Sequence, residues 1–217
     1  MASAGPGLIA FDLDGTLIDS LAGIHASLAA ACASLDLSVP TPEQLRHHIG
    51  PPLRQYLPEL LELPPASAQA VIDQLLPDFR RHHDQHGWRN YCLYDGVLEL
   101  LTQLSAAGWS LHVVTHKPHQ LAEQLLQQEG LAPLFETLHA PGAPGWQSKA
   151  AALQMLRQSE AMPHWYVGDT ASDGEAADQA GYRFVAACYG YGQCASANAR
   201  ISAPLQLLEA LRRAEGA

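Results

Sequence analysis

Three short polar clusters, each at the end of an apolar run, hold the residues of this sequence best suited to chemistry. Asp12-Leu13-Asp14-Gly15-Thr16 follows Leu8-Ile9-Ala10-Phe11, Thr115-His116-Lys117-Pro118 follows a run ending at Val114, and Gly168-Asp169-Thr170 follows Val167. A carboxylate such as Asp12 can attack phosphorus and hold the phosphoryl group as an acyl phosphate, dividing one difficult displacement into two easier ones. Asp14, two residues on, can protonate the leaving oxygen and then activate water. Adjacent carboxylates and a phosphate repel one another, so such a centre calls for a divalent cation, and an all-oxygen ligand set suits Mg2+. Phosphate oxygens also call for donors and positive charge, which Thr115 and Lys149 offer. The only lysines are Lys117 and Lys149, both in or beside these clusters, so a merely solvated role is a weak reading in this acidic chain.

Taken singly, an aspartate after a strand is usually a turn former or a helix cap. Convergence of three such clusters is harder to obtain by chance, and the surrounding pattern predicts it. Strands are expected over residues 7–13, 110–115, 164–167 and 182–187, with helices over 97–106, 119–128, 149–158, 174–180 and 204–213. This alternation predicts a doubly wound, Rossmann-like α/β core with a parallel sheet covered on both faces. In such sheets ligands bind beyond the carboxyl ends of the strands, where all three clusters fall. The alternation breaks once: residues 19–91 show helical patterns over 21–35, 42–48, 53–61 and 67–83, with a break at Gly50-Pro51-Pro52. The predicted organisation is a core of residues 1–18 and 92–217 and an inserted small helical cap, residues 19–91, that opens and closes over the cleft.

The series Asp12-Leu13-Asp14-Gly15-Thr16-Leu17, Thr115, Lys149, and Gly168-Asp169-Thr170 with Asp173 resembles the haloacid dehalogenase-like hydrolase superfamily over the whole chain. The helical insert after the first motif is similar to the small cap of the subgroup that includes phosphoglycolate phosphatases. The resemblance implies a phosphatase with Asp12 as nucleophile and Asp14 as acid and base. It further implies Mg2+ held by the Asp12 carboxylate, the Asp14 backbone carbonyl and Asp169, with Asp173 steadying the shell or ligating through water. Thr115, His116 and Lys149 would bind phosphate. The break at residues 49–53 resembles the family's specificity loop, which makes Arg46, Gly50 and Arg54 candidates for substrate choice. The two arginines could grip a substrate carboxylate or be solvated helix residues.

Asp14 argues for phosphoesters over dehalogenation, and the absence of lysine from residues 19–91 removes Schiff-base phosphonate cleavage. Gly15-Thr16 and the spacing of His25 argue against a mutase. His116 and Ala150 depart from the phosphoglycolate phosphatase pattern, and Ser148-Lys149-Ala150 with the Tyr189-Gly190-Tyr191-Gly192 loop is as similar to nucleotidases and broad sugar phosphatases. A retired, non-catalytic relative would lose the nucleophile or the phosphate lysine first, and this chain keeps both.

Composition narrows the partner. The 217 residues are 47% hydrophobic and 16% charged, as in a globular protein with a sizeable core. A net charge of −10 opposes binding to nucleic acid or anionic membranes and leaves a small phosphorylated metabolite as the expected partner. The opening MASAGPG has no leader character, so cytoplasmic residence is expected. Cys32, Cys92, Cys188 and Cys194 are expected to be reduced, and the pairs His47-His48 and His82-His83 to lie on the surface. Trp88, Tyr91 and Tyr94 are expected to pack at the junction of insert and core.

Overall fold

The computed structural model describes residues 6–157, 162–192 and 196–215. The chain opens with β1 (Leu8–Phe11) and β2 (Ile18–Asp19), then passes through four helices, α1 (Leu21–Ala33), α2 (Pro42–Arg46), α3 (Leu53–Leu60) and α4 (Pro65–Gln85). It returns through β3 (Cys92–Leu93) to α5 (Val97–Ala106), β4 (Ser110–Val114), α6 (His119–Gln128) and β5 (Thr137–His139). The last elements are α7 (Lys149–Leu156), β6 (His164–Gly168), α8 (Ala171–Ala180), β7 (Arg183–Ala187), β8 (Ala199–Ile201) and α9 (Gln206–Glu215).

Six strands form one sheet in the order β5-β4-β1-β6-β7-β8, and every neighbouring pair is parallel. All four β1 residues are buried, as an apolar run at the centre of a sheet covered on both faces requires. Alternate side chains serve opposite faces. Ile9, Phe11, Val113 and Val167 pack with Leu100, Leu125 and Leu207 from α5, α6 and α9, whereas Leu8, Ala10, Tyr166 and Phe184 pack with Leu153 and Ala177 from α7 and α8. Phe11 pairs with both Val113 and Val167, so β4, β1 and β6 end nearly level and release their following residues at one edge.

The four helices between β2 and β3 bury a separate apolar cluster that includes Leu28, Leu45, Leu57, Ile72, Leu75 and Phe79. Antiparallel pairing of β2 with β3 joins the outgoing and returning chain at the foot of this insert. Local chemistry sets the boundaries: Thr41 and Gln44 make a capping box at α2, and Pro65 sits in the first turn of α4, where its missing N–H costs nothing. Trp88 is buried near the end of the insert, and Tyr94 meets Tyr189 edge to face, with 4.8 Å between ring centres.

The sheet has two strands, β5 and β8, beyond the four expected. Each is three residues long and lies at an edge, too short for a two-residue period to register. Helix α8 starts at Ala171, three residues before the expected start, because Thr170 and Asp173 form a capping box ahead of Gly174. Cys32, Cys92 and Cys188 are free thiols, as expected; Cys194 lies outside the described residues. No described helix is long and apolar enough to cross a membrane.

The foot of the insert depends on a close backbone approach. A β-carbon at Gly23 in α1 would lie 2.1 Å from the Gly87 carbonyl oxygen, with backbone on both sides and nothing flexible to yield. Gly23→Ala should therefore destabilise the protein by about 1–3 kcal/mol, as overpacking does. Thermal unfolding should show a midpoint lowered by about 2–4 °C per kcal/mol; an unchanged midpoint would contradict this packing.

Candidate active site

Asp12 is the first residue beyond β1, and its carboxylate is fixed at both oxygens. Oδ1 accepts from the Leu13 amide at 2.8 Å, and Oδ2 accepts from Lys149 Nζ at 2.6 Å. Lys149 opens α7 behind the Ser148 cap and is only 2% exposed. Its ammonium also donates to Asp173 Oδ1 at 2.6 Å, and Asp173 Oδ2 accepts from the Thr170 amide and hydroxyl at 3.0 and 2.6 Å. Asp169, just after β6, accepts at Oδ2 from the Tyr191 and Gly192 amides at 2.7 and 3.2 Å. A β-carbon on Gly15 would sit 2.2 Å from Asp169 Oδ2, so only glycine lets the first loop come this near.

Oxygens of Asp12, Asp169 and Asp173 lie within 4.8 Å of one another, all three residues are buried, and Lys149 is the ammonium that bonds the group. Electrostatics follow from this excess of acid. Burial, with the Asp173 charge, pushes Asp12 up to about 6 despite the opposing pull of Lys149. Burial and the charges of Asp173 and Asp12 drive Asp169 well above the carboxylate range. Burial also disfavours a charged Asp173, but Lys149 and the Thr170 hydrogen bonds outweigh it and hold that carboxyl low. Lys149 stays charged, because Asp12 and Asp173 overcome its own desolvation. A cluster of hard oxygen donors with uncompensated negative charge fits a divalent cation of the magnesium class.

Asp14 has a different environment. Its Oδ1 accepts from Ser20 Oγ at 2.5 Å and Lys117 Nζ at 3.0 Å. Burial would raise this carboxyl, but the Lys117 charge and the two hydrogen bonds hold it below its ordinary value. Two carboxylates side by side thus differ in proton affinity, the arrangement that separates acid–base from nucleophilic roles. A cavity of about 300 Å3 opens above them, floored by Asp12, Asp14, Thr115 and Lys117.

The fold brings Asp12, Asp14, Thr115, Lys149, Asp169 and Asp173 together. Thr115, whose hydroxyl accepts from the Lys117 amide at 3.2 Å, lines the cavity with Asp12, and His116 lines it with Nδ1 3.1 Å from the Gly50 carbonyl oxygen. Burial and the Lys149 charge lower the His116 pKa, so its ring is neutral and joins the insert loop to the core. Arg54 reaches the cavity rim but pairs with Asp73 at 2.6 Å on the surface. Arg46 is turned elsewhere: Nη2 donates to the Gly190 carbonyl at 3.1 Å, and the guanidinium lies 5.4 Å from the centre of the Tyr191 ring. In this arrangement its donor is spent on the core backbone and it does not line the cavity, whereas the sequence made it a candidate to grip a substrate carboxylate.

Several partners were not legible in the motifs. Lys117 holds Asp14, a partner that its place beside Thr115 did not name. Tyr191 caps α1: its hydroxyl accepts from the Ser20 and Leu21 amides at 2.6 and 3.1 Å, a role closed to Ser20, whose hydroxyl bonds Asp14. His83, expected at the surface, is 7% exposed and lines the cavity. The signal for it is the buried stripe Ile72, Leu75, Leu76, Phe79, His83 along α4, a helical period that the adjacent His82 obscures.

The acid cluster makes cation binding measurable without catalysis. Asp12, with its pKa raised to about 6, is largely ionised at pH 7.5 and largely protonated at pH 5. Millimolar Mg2+ should therefore raise the thermal midpoint at pH 7.5 and raise it less at pH 5, where protons compete for the same oxygens. Asp169→Asn should remove most of the effect, and equal shifts at both pH values would contradict this charge balance.

A family model for haloacid dehalogenase-like hydrolases matches residues 9–187. The tyrosine-protein kinase PtkA of Mycobacterium tuberculosis is 32% identical over 192 residues, which cover 87% of this chain and 64% of that protein. This chain thus spans less than two thirds of that relative's length. A phosphoglycolate phosphatase of Vibrio parahaemolyticus is 31% identical over 192 residues, covering 85% of this chain and 84% of the relative. Among solved structures, a predicted phosphatase from Clostridium acetobutylicum superposes with a TM-score of 0.81 at 26% identity, over 97% of this chain and 100% of that one. With these aspartates, the threonine and the lysine brought to one cleft, the chain belongs to the haloacid dehalogenase-like hydrolase family.

Proposed function

We propose that this chain is a magnesium-dependent phosphatase that hydrolyses a small phosphomonoester through an aspartyl phosphate on Asp12. The observation that carries this reading is the pairing of Asp12 and Asp14 on the floor of one cavity, each with its own ammonium partner, Lys149 and Lys117. The Asp12 carboxylate attacks phosphorus, an Asp12 oxygen–phosphorus bond forms, and the ester oxygen–phosphorus bond breaks. Asp14 donates its proton to the departing oxygen; the approach of a phosphate dianion raises its proton affinity and favours the protonated form at that moment. Asp14 then takes a proton from water as the water attacks phosphorus, and free phosphate is released.

Thr115, Lys149 and the amides after Asp12 hold the phosphoryl oxygens as charge shifts among them. Asp12, the Asp14 carbonyl and Asp169, with Asp173 behind, would hold magnesium, which would supply the positive charge that the three buried carboxylates call for. Residues 19–91 act as a cap over a core of residues 1–18 and 92–217, a reading supported by the His116 contact with the Gly50 carbonyl across the two segments. Phosphoglycolate is one ester of suitable size, and nucleotides and sugar phosphates are alternatives for the same floor.

Release of inorganic phosphate from an aryl phosphate should require Mg2+ and fall about a thousandfold or more in Asp12→Asn. Residual activity near wild type would overturn the nucleophile, and transfer of the phosphoryl group to an organic acceptor without free phosphate would overturn hydrolysis. A second test concerns pH. Lys117 helps hold Asp14 low, and the base must be ionised, so Lys117→Met should move the acid limb of the kcat profile to higher pH. A limb that stays in place would mean that Asp14 is not the base.

A further inference from the structure

Above its polar floor the cavity is walled by the insert: Ile24, Ile49, Leu53, Leu76 and Phe79 supply apolar surface, and two buried polar side chains interrupt it, Tyr56 and His83. They are 8% and 7% exposed. Among the described residues the Tyr56 hydroxyl has no hydrogen-bond partner, and both side chains lie within the influence of the Asp14 charge.

The proton on His83 can be assigned from its neighbours. Ser27 Oγ donates to the Gly23 carbonyl at 2.8 Å and lies 3.1 Å from His83 Nδ1. The single hydrogen of the Ser27 hydroxyl is thereby spent on the carbonyl, so toward the ring its oxygen can only accept. On this side, therefore, the ring must donate, and Nδ1 carries the hydrogen. Burial and the Lys117 charge lower the pKa to about 4, so the ring is neutral and holds one proton. Nε2 is left with a bare lone pair and no partner among the described residues.

We infer that His83 Nε2, with the Tyr56 hydroxyl of the same cavity wall, is an acceptor subsite for a hydroxyl or amine carried by the organic part of the substrate. The geometry selects against a carboxylate there. A carboxylate would meet a lone pair and the Asp14 charge, and the neighbouring cations are engaged, Lys117 by Asp14 and Arg54 by Asp73. Arg80 also lines the cavity, but it is exposed at the solvent side of the α4 stripe that carries His83 inward. The substrate class that fits is a hydroxyl-bearing phosphomonoester, a polyol or sugar phosphate, in preference to a short phosphorylated acid.

This inference rests on the phosphatase reading above, and one set of assays separates the two. Phosphate release is measured from phenyl phosphate, n-propyl phosphate, glycerol 1-phosphate and phosphoglycolate. The wild type should favour glycerol 1-phosphate over n-propyl phosphate by about tenfold in kcat/KM, the size of one satisfied buried acceptor, with phosphoglycolate slowest. His83→Phe should bring the glycerol-to-propyl ratio to about one, with the loss in KM, and His83→Gln, which can still present an acceptor, should recover part of it. A ratio unchanged in His83→Phe, a preference for phosphoglycolate, or equal loss on both esters without recovery by glutamine would overturn the subsite. Hydrolysis of phenyl phosphate alone would overturn it too and leave the phosphatase reading standing. Failure on all four esters would overturn that reading itself.

Discussion

The Lys149 ammonium lies between Asp12 and Asp173, 2.6 Å from each and shielded from water, and the charge balance of the centre turns on it. Buried carboxylates repel one another and lose hydration, a cost that one ammonium offsets only in part. The remainder is visible in the raised proton affinities of Asp12 and Asp169, the residues facing the place where a cation fits. Asp14, with Lys117 to itself, escapes that competition. Asp12 and Asp14, proposed above as nucleophile and proton carrier, are thus distinguished by which lysine each has, although both are aspartates of one loop.

The parallel sheet makes that distinction possible. Central strands pinned by buried apolar side chains end nearly level, so residues far apart in the chain reach one edge without long loops. Lys149 comes from a different crossover than Asp173, and Thr170 holds Asp173 through the capping box that starts α8. The same short-range chemistry that begins the helix therefore orients an acid of the site.

What the sequence made legible followed from run length and polarity. Asp12, Thr115 and Asp169 each stand after an apolar stretch long enough to read as a strand, which located the site before any contact was known. The edge strands Thr137–His139 and Ala199–Ile201 offered three residues apiece and no period to detect. Side-chain direction was the other loss. Whether Arg46 faces a ligand or the Gly190 carbonyl, and whether Lys117 pairs with Asp14, depends on packing between segments more than a hundred residues apart. His83 lay between these cases, since its helical period was present but concealed by a second histidine.

The two lysines bear on how this protein can be probed. Lys117 is 6% exposed and Lys149 is 2% exposed, and the sequence holds no other lysine. Among side chains, the fixed positive charge of the outer surface is carried by arginine. An acylating reagent directed at side-chain amines finds no target outside the cleft, so reaction at Lys117 or Lys149 requires both that the cleft admit the reagent and that the ammonium leave its aspartate and lose its proton.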